Sequence, residues 1–294
     1  MKKTGIAPPP EGAALRFLYG RREGRVLLKL AASRPVSQLA GRFMDSPLSK
    51  LLIGPFVRKN NIRMEDYLPL PYPCFNDFFC RPIRKELRPI PEEGAVFMAP
   101  CDGLLSAYRI TDGLLLPIKQ SSYTVSELLD SREEAARFRD GICLVFRLCV
   151  NHYHRYCYLD DGRVVSKRFI PGELHTVRPI ALAALPVFTR NCREVMLLET
   201  KHFGTVAQIE VGAMLVGKIE NHGGPGMPFR RGAEKGRFLY GGSTVVVLIE
   251  KDRVTLDEAL FENTAQGLET PVVMGEALGT QASFFFDFLI DVSS

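Results

Sequence analysis

From Thr205 to Ile219 the chain reads TVAQIEVGAMLVGKI, with apolar residues at alternate positions. Ala207, Ile209, Val211, Ala213, Leu215 and Ile219 share one side of an extended backbone, and Gln208, Glu210 and Lys218 share the other. Side chains on a strand alternate between two faces. This spacing therefore predicts a half-buried strand pair, or one long bent strand with Gly212 and Gly217 as kinks or close contacts. Short β-like runs set off by Gly and Asp surround it from about residue 66: APCDGLLSAYRI, DGLLLPI and GICLVFRLCV. TVSELLDSREEAARF (124–138) predicts a helix, with Thr124 or Ser126 as its cap. ENHGGPGMPFRRGAEKGRF reads as a loop, and TLDEALFENTAQGLETPVVMGEALG as a short helix followed by strand and turn. Strands outnumber helices after residue 66, which predicts an α+β protein with a β-dominated core over 66–294.

Residues 1–65 have another texture. In 14–60 apolar and basic residues recur at three-to-four spacing, which predicts short amphipathic helices interrupted by Gly20, Gly24, Pro35, Pro47 and Pro55. Residues 1–63 hold thirteen Lys/Arg against Glu11, Glu23 and Asp45, a balance of +10, while the whole chain is +5. The remainder is thus about −5. A basic amphipathic region fits an anionic membrane surface, or a helical cap with a solvated basic rim. No run of about 18 uncharged apolar residues reads as a membrane span. Lys2 and Lys3 have no apolar stretch behind them, so the start does not read as a secretory signal. Seven scattered cysteines without a Cys-x-x-Cys pair point to a reducing compartment rather than a disulfide framework.

Common nucleotide, hydrolase-elbow and zinc-protease motifs are missing. Two features remain. CVNHYHRYCYLDDG (149–162) gathers Cys149, His152, His154 and Cys157 at the end of an apolar run. On a regular strand the two histidines face one way and the cysteines the other, which weakens a shared metal site, and no metal is expected. The histidines then read as strand-end hydrogen bonders or as a general base. The second feature is FLYGGSTVVVLIE (238–250), where Gly241-Gly242-Ser243 precedes an apolar strand. A turn accounts for it. So does chemistry: a serine hydroxyl becomes nucleophilic when a base takes its proton, and glycine permits a bent peptide whose carbonyl lies beside that hydroxyl. Asp102, in APCDG, is a candidate to orient the imidazole, or a plain turn residue.

With these residues in view, the chain closely resembles the phosphatidylserine decarboxylases, a self-processing pyruvoyl-dependent family. The likeness runs through FNDFFCRPIRKELRPI (75–90), APCDG (99–103), YHR (153–155), PGELHTV (171–177), FGTVAQIEVGAMLVG (203–217) and GRFLYGGSTVVVL (236–248). It implies that His154, oriented by Asp102, deprotonates Ser243, which attacks the Gly242 carbonyl. The chain then parts into 1–242 and 243–294, and Ser243 becomes a pyruvoyl group. Phosphatidylserine forms a Schiff base with that group, loses CO2 and leaves as phosphatidylethanolamine. The resemblance further implies a peripheral enzyme on the cytoplasmic face of the cell membrane, its two chains staying associated. No nucleic acid is expected, and a homodimer stays open.

One position departs. Many members read Tyr-His-Arg-x-His, and the second histidine is usually assigned to self-cleavage; here it is Cys157. His154 serving both steps, His175, or Cys157 itself are the alternatives, with His154 favoured. Arg155 is a candidate for the lipid headgroup. Two other classes stay open at this level: a serine hydrolase acting on an external ester, and a non-enzymatic lipid-surface module.

Overall fold

The structure is a computed structural model that describes residues 3–8, 12–31, 33–111, 115–118, 121–213, 218–240 and 243–282. The amino-terminal region is helical, as its spacing predicts: α1 (Ala13–Gly20), α2 (Arg22–Ala31), α3 (Arg34–Met44), a 3-10 segment Pro47–Leu52 and α4 (Ile53–Lys59). Gly24 does not interrupt a helix. It lies inside α2, where a Cβ would stand 2.1 Å from the Phe17 carbonyl oxygen, so its lack of a side chain lets α2 close against α1. Pro35 occupies the first turn of α3, where no backbone donor is lost. A further short helix, α5 (Phe75–Phe79), opens the core.

The strands run β1 (Val96–Met98), β2 (Gly103–Arg109), β3 (Leu115–Ile118), β4 (Ser121–Thr124), β5 (Ile142–Leu148), β6 (Arg155–Cys157), β7 (Gly162–Ile170) and β8 (Arg193–Thr200). They continue with β9 (Gly204–Val211), β10 (Ile219–Asn221), β11 (Pro228–Phe229), β12 (Glu234–Phe238), β13 (Ser243–Ile249), β14 (Val254–Leu256), β15 (Thr270–Val272) and β16 (Ala277–Gln281). Eight of them form one sheet in the order β11-β7-β8-β9-β13-β5-β2-β15, and two three-stranded sheets are ordered β1-β16-β14 and β10-β12-β6. The pairings are antiparallel throughout these sheets. The protein is thus the α+β fold with a β-dominated core and a helical amino-terminal region.

The large sheet is buried on both faces. On one, Val246, Leu248, Ile209 and Val145 pack with helical residues that include Tyr19 and Leu28 of the amino-terminal region. On the other, Val245, Val247, Ile249 and Phe146 pack with Tyr156 and Phe238 from one small sheet and Phe97 and Leu278 from the other. This layering changes the reading of TVAQIEVGAMLVGKI. It is two separate strands rather than a hydrogen-bonded pair, β9 in the large sheet and the start of β10 in a three-stranded one, and Leu215 and Gly217 lie outside the described residues. Within β9 the polar face is not half-exposed: Gln208 and Glu210 are fully buried, because β10, β12 and β6 cover them, while Lys218 beyond it is exposed. Glu210 is matched there by Lys235 of β12, whose ammonium donates to both carboxylate oxygens at 2.7 Å and to Asn221 Oδ1 at 3.1 Å. Burial nevertheless pushes the Glu210 carboxyl up and the Lys235 amine down.

The single helix expected over 124–138 is two, Val125–Leu129 and Arg132–Ala136. Thr124 does cap the first, in a capping box with Glu127. Asp130 then adopts a left-handed conformation (φ 52°) that ends it, and Ser131 caps the second.

An uncompensated buried charge costs about 3–5 kcal/mol, whereas an apolar replacement of a whole buried pair is often neutral. Lys235→Met should therefore lower stability by that order, and adding Glu210→Leu should recover most of the loss. Urea unfolding midpoints of the two variants check this; an unchanged midpoint for Lys235→Met would contradict it.

Candidate active site

Ser243 heads β13, the strand that pairs with β5 on one side and β9 on the other. Its partner is Leu148 of β5, and alternation puts its side chain on the Val245, Val247 and Ile249 face. There the hydroxyl is fully buried, and Oγ has no hydrogen-bond partner among the described residues. The next hydroxyl, Thr244 Oγ1, is likewise buried and unpartnered, but on the opposite face. A buried polar atom without a partner costs about 1–3 kcal/mol, so such atoms ask for a reason. Gly241 and Gly242, which complete the motif, lie outside the described residues.

His154 sits just before β6 and is also fully buried. Its ring lies against Phe79 with centroids 4.0 Å apart, and its carbonyl accepts the Phe238 N–H at 3.0 Å. Phe238 closes β12 five residues ahead of Ser243. The fold thus brings His154 and the approach to Ser243 to the same end of one layer interface. Nδ1 lies 2.9 Å from the His152 carbonyl oxygen, and Nε2 has no partner. A ring that donates through Nδ1 carries its free lone pair on Nε2. Burial first, then the positive Arg81 and the neighbouring His152 ring, holds the pKa well below 6.5, so the imidazole is neutral at pH 7. This arrangement can take a proton from a hydroxyl.

Asp102 does not contact that ring. Its carboxylate is held by Arg88, Nε to Oδ1 at 2.7 Å and Nη2 to Oδ2 at 2.5 Å, and Oδ1 also accepts the Met274 N–H at 3.0 Å. A bidentate guanidinium plus a peptide donor leave it committed elsewhere. The expected Asp102–His154 hydrogen bond is therefore absent, and the His152 carbonyl orients the ring instead. Asp102 faces His152 across a cavity of about 340 Å³ and partly offsets the lowering of the His152 pKa by burial.

The other candidates are engaged. Burial pushes the Cys157 thiol up to about 12, which leaves it protonated and a poor base at neutral pH. His175 has its ring between Glu173 Oε2 at 2.7 Å and the Tyr19 hydroxyl at 3.4 Å. The Arg155 guanidinium is shared between the Glu234 carboxylate and the Cys80 carbonyl.

The sequence reading missed α5. Asn76 Oδ1 accepts the Tyr240 N–H at 3.0 Å, and Cys80 Sγ lies 3.1 Å from the Phe238 carbonyl oxygen. Phe75 and Phe79 meet the Tyr240 ring edge-on. One short helix thus touches both His154 and the segment leading to Ser243. FNDFFC carries family likeness, but the only chemical sign of a structural role for it is an amide set among phenylalanines. Beside it a cavity of about 490 Å³ lies between α3 and the core, lined by Arg42, Asn76, Lys218, Leu239 and Tyr240 among others.

A buried serine hydroxyl without a partner, and a neutral imidazole whose Nε2 is free at the same end of the layer interface, are the elements of serine-centred acyl chemistry. A family model for phosphatidylserine decarboxylase matches residues 75–280, and the chain belongs to that family. Similar proteins include phosphatidylserine decarboxylase proenzyme 2 of Clostridium acetobutylicum, 42% identical over 266 residues that cover 90% of this chain and 91% of that one. A phosphatidylserine decarboxylase proenzyme of Ruminiclostridium cellulolyticum is 38% identical over 288 residues, 95% and 94% of the two chains. Another, of Clostridium kluyveri, is 37% identical over 270 residues, 90% and 91% of the two.

The depressed pKa of His154 fixes a sign. A base acts in its neutral form, so any reaction it starts should proceed at an undiminished rate as pH falls from 8 through 6.5, and fail only at lower pH. Rates of chain cleavage across that range check this; a half-maximal rate near pH 6.5 would point to an ordinary, exposed histidine.

Proposed function

We propose that the protein is a phosphatidylserine decarboxylase that makes its own prosthetic group from Ser243. The observation that carries this reading is the pair of buried, unpartnered atoms, Ser243 Oγ and His154 Nε2. The Ser243 proton passes to His154 Nε2, and Oγ attacks the Gly242 carbonyl carbon. The peptide bond between 242 and 243 gives way to an ester, which eliminates to free the 242 carboxylate. The dehydroalanine left at 243 takes up water and releases ammonia, becoming a pyruvoyl group.

The site suits that group. It would stand at the head of β13, enclosed and apolar on the side of Val245 and Tyr156, where a small uncharged carbonyl is at home. Bound there, a pyruvoyl supplies the electron sink for loss of a carboxylate from an amine substrate. The neutral His154 remains beside it to move a proton. Asp102 supports rather than touches: through Met274 it ties the chain that ends at 242 to the one that begins at 243. That second chain is held further by β13 between β5 and β9, and by the buried Arg147–Glu269 pair. These contacts support two chains that stay associated after the cut.

Among the described residues no helix is long and apolar enough to cross a membrane. The amino-terminal helices instead expose Val26, Leu27, Leu39, Phe43, Leu48 and Leu51 within the strongly basic segment. That pairing suits the interface of an anionic bilayer. The cavity beneath α3 adjoins this surface, and Arg42 and Lys218 against the single acid Asp45 leave its lining one net positive charge, which suits a phosphodiester. A peripheral enzyme drawing its lipid from the membrane through this cavity is the arrangement supported best.

Ser243→Ala removes the nucleophile, so it should remain a single uncut chain without decarboxylase activity, as seen by intact mass. A normally cut Ser243→Ala would overturn the assignment. Binding to anionic vesicles should weaken between about 0.1 M and 1 M salt, as the screening length drops from about 10 Å to 3 Å. Sedimentation with vesicles measures this; salt-indifferent binding would make apolar insertion the main attachment.

A further inference from the structure

The contacts of α5 do not stop at the active site. Asn76 is buried and uses both ends of its amide. Oδ1 accepts the N–H of Tyr240, two residues ahead of Gly242, at 3.0 Å. Nδ2 donates to Asp45 Oδ1 at 2.7 Å, and Asp45 is the residue that ends α3. A second link runs beside it: the Phe75 N–H donates to Ser49 Oγ at 2.8 Å, and Ser49 lies in the 3-10 segment of the amino-terminal region. An amide has a fixed geometry, with acceptor and donor set apart on one planar group. Moving Asp45 relative to the core therefore moves, or breaks, the support under Tyr240.

From this, and resting on the reading of Ser243 as the self-cleaving serine, we infer that Asn76 is a positioning residue that couples the seating of α3 to chain cleavage. It holds the backbone at Tyr240 so that the carbonyl two residues on is presented to Ser243 only when the helical region is docked. Its place on the wall of the cavity under α3 puts it where the two regions meet. Cleavage is then tied to assembly of the surface that the finished enzyme needs.

The test follows cleavage of freshly translated full-length chain over time by intact mass, with thermal melting of each variant. Asn76→Ala loses the Tyr240 contact and should be cut about tenfold more slowly, the scale of one hydrogen bond in an activation step. Asn76→Asp keeps the acceptor for Tyr240 but sets two carboxylates face to face, and should slow cleavage by at least as much. Combining Asn76→Asp with Asp45→Asn exchanges donor and acceptor, keeps both hydrogen bonds, and should bring the rate back to within about threefold of the unchanged protein. Rescue by exchange separates positioning from mere bulk.

A folded Asn76→Ala cut at the unchanged rate overturns the inference. So does a double variant that stays as slow as Asn76→Asp, or that fails to fold. Should Asn76→Ala itself not fold, the exchange pair decides. Ser243→Ala run alongside keeps the two levels apart: if it is cut, the reading of Ser243 fails; if it stays whole while Asn76→Ala is cut normally, only the role of Asn76 fails.

Discussion

Strand β13 is buried on both faces from Ser243 to Ile249, pairing with β5 along that whole length and with β9 from Thr244 onward. The rest of the structure follows from that placement. A fully enclosed strand must be apolar along its length, and Val245 through Ile249 satisfy this without exception. Its head must then hold any polar group in a dry place, which is where Ser243 stands. A hydroxyl there has lost water and gained no partner, so its hydrogen-bonding capacity is left for a reaction partner. On the proposed reading, the same strand lets the backbone be broken between 242 and 243 without loss of the fold. The ladder to β5 and β9 lies entirely after residue 242 on one side and well before it on the other.

The second constraint is the supply of a base in so apolar a setting. A protonated imidazole would be costly in this interior, and burial keeps His154 neutral. The His152 carbonyl fixes the tautomer and leaves Nε2 as the lone-pair nitrogen. The ring is set by Phe79 of α5, whose neighbours also hold Phe238 and Tyr240. A five-residue helix thus sets the His154 ring, the proposed base, against the backbone that approaches the serine.

Much of this was legible in the sequence, for physical reasons. The period-two pattern of 205–219 predicts strands, and the valine run after Ser243 predicts the buried strand β13. Family likeness added the chemistry. What the sequence could not show were interactions set by tertiary neighbours. Asp102 reads as the partner of a histidine until Arg88, fourteen residues before it, is seen to occupy both oxygens. Glu210 reads as a solvent-facing residue until β12 brings Lys235 over it. Cys157 reads as a stand-in for a histidine, but its depth in the fold keeps it a protonated thiol. Asn76 sat inside a run of phenylalanines, and packing alone accounts for such a run. One helix became two at Asp130 because a left-handed residue is a backbone choice that composition only weakly encodes.

The central claim is that Ser243 is consumed to make the reactive group. The most direct measurement is the intact mass of the chain that begins at residue 243, before and after treatment with a carbonyl reagent such as hydroxylamine. This account predicts a 243–294 chain lighter by one ammonia than a serine-headed fragment, without a free terminal amine, and shifted by the reagent. A fragment that keeps a serine at its head, or a chain that is never cut, would contradict it.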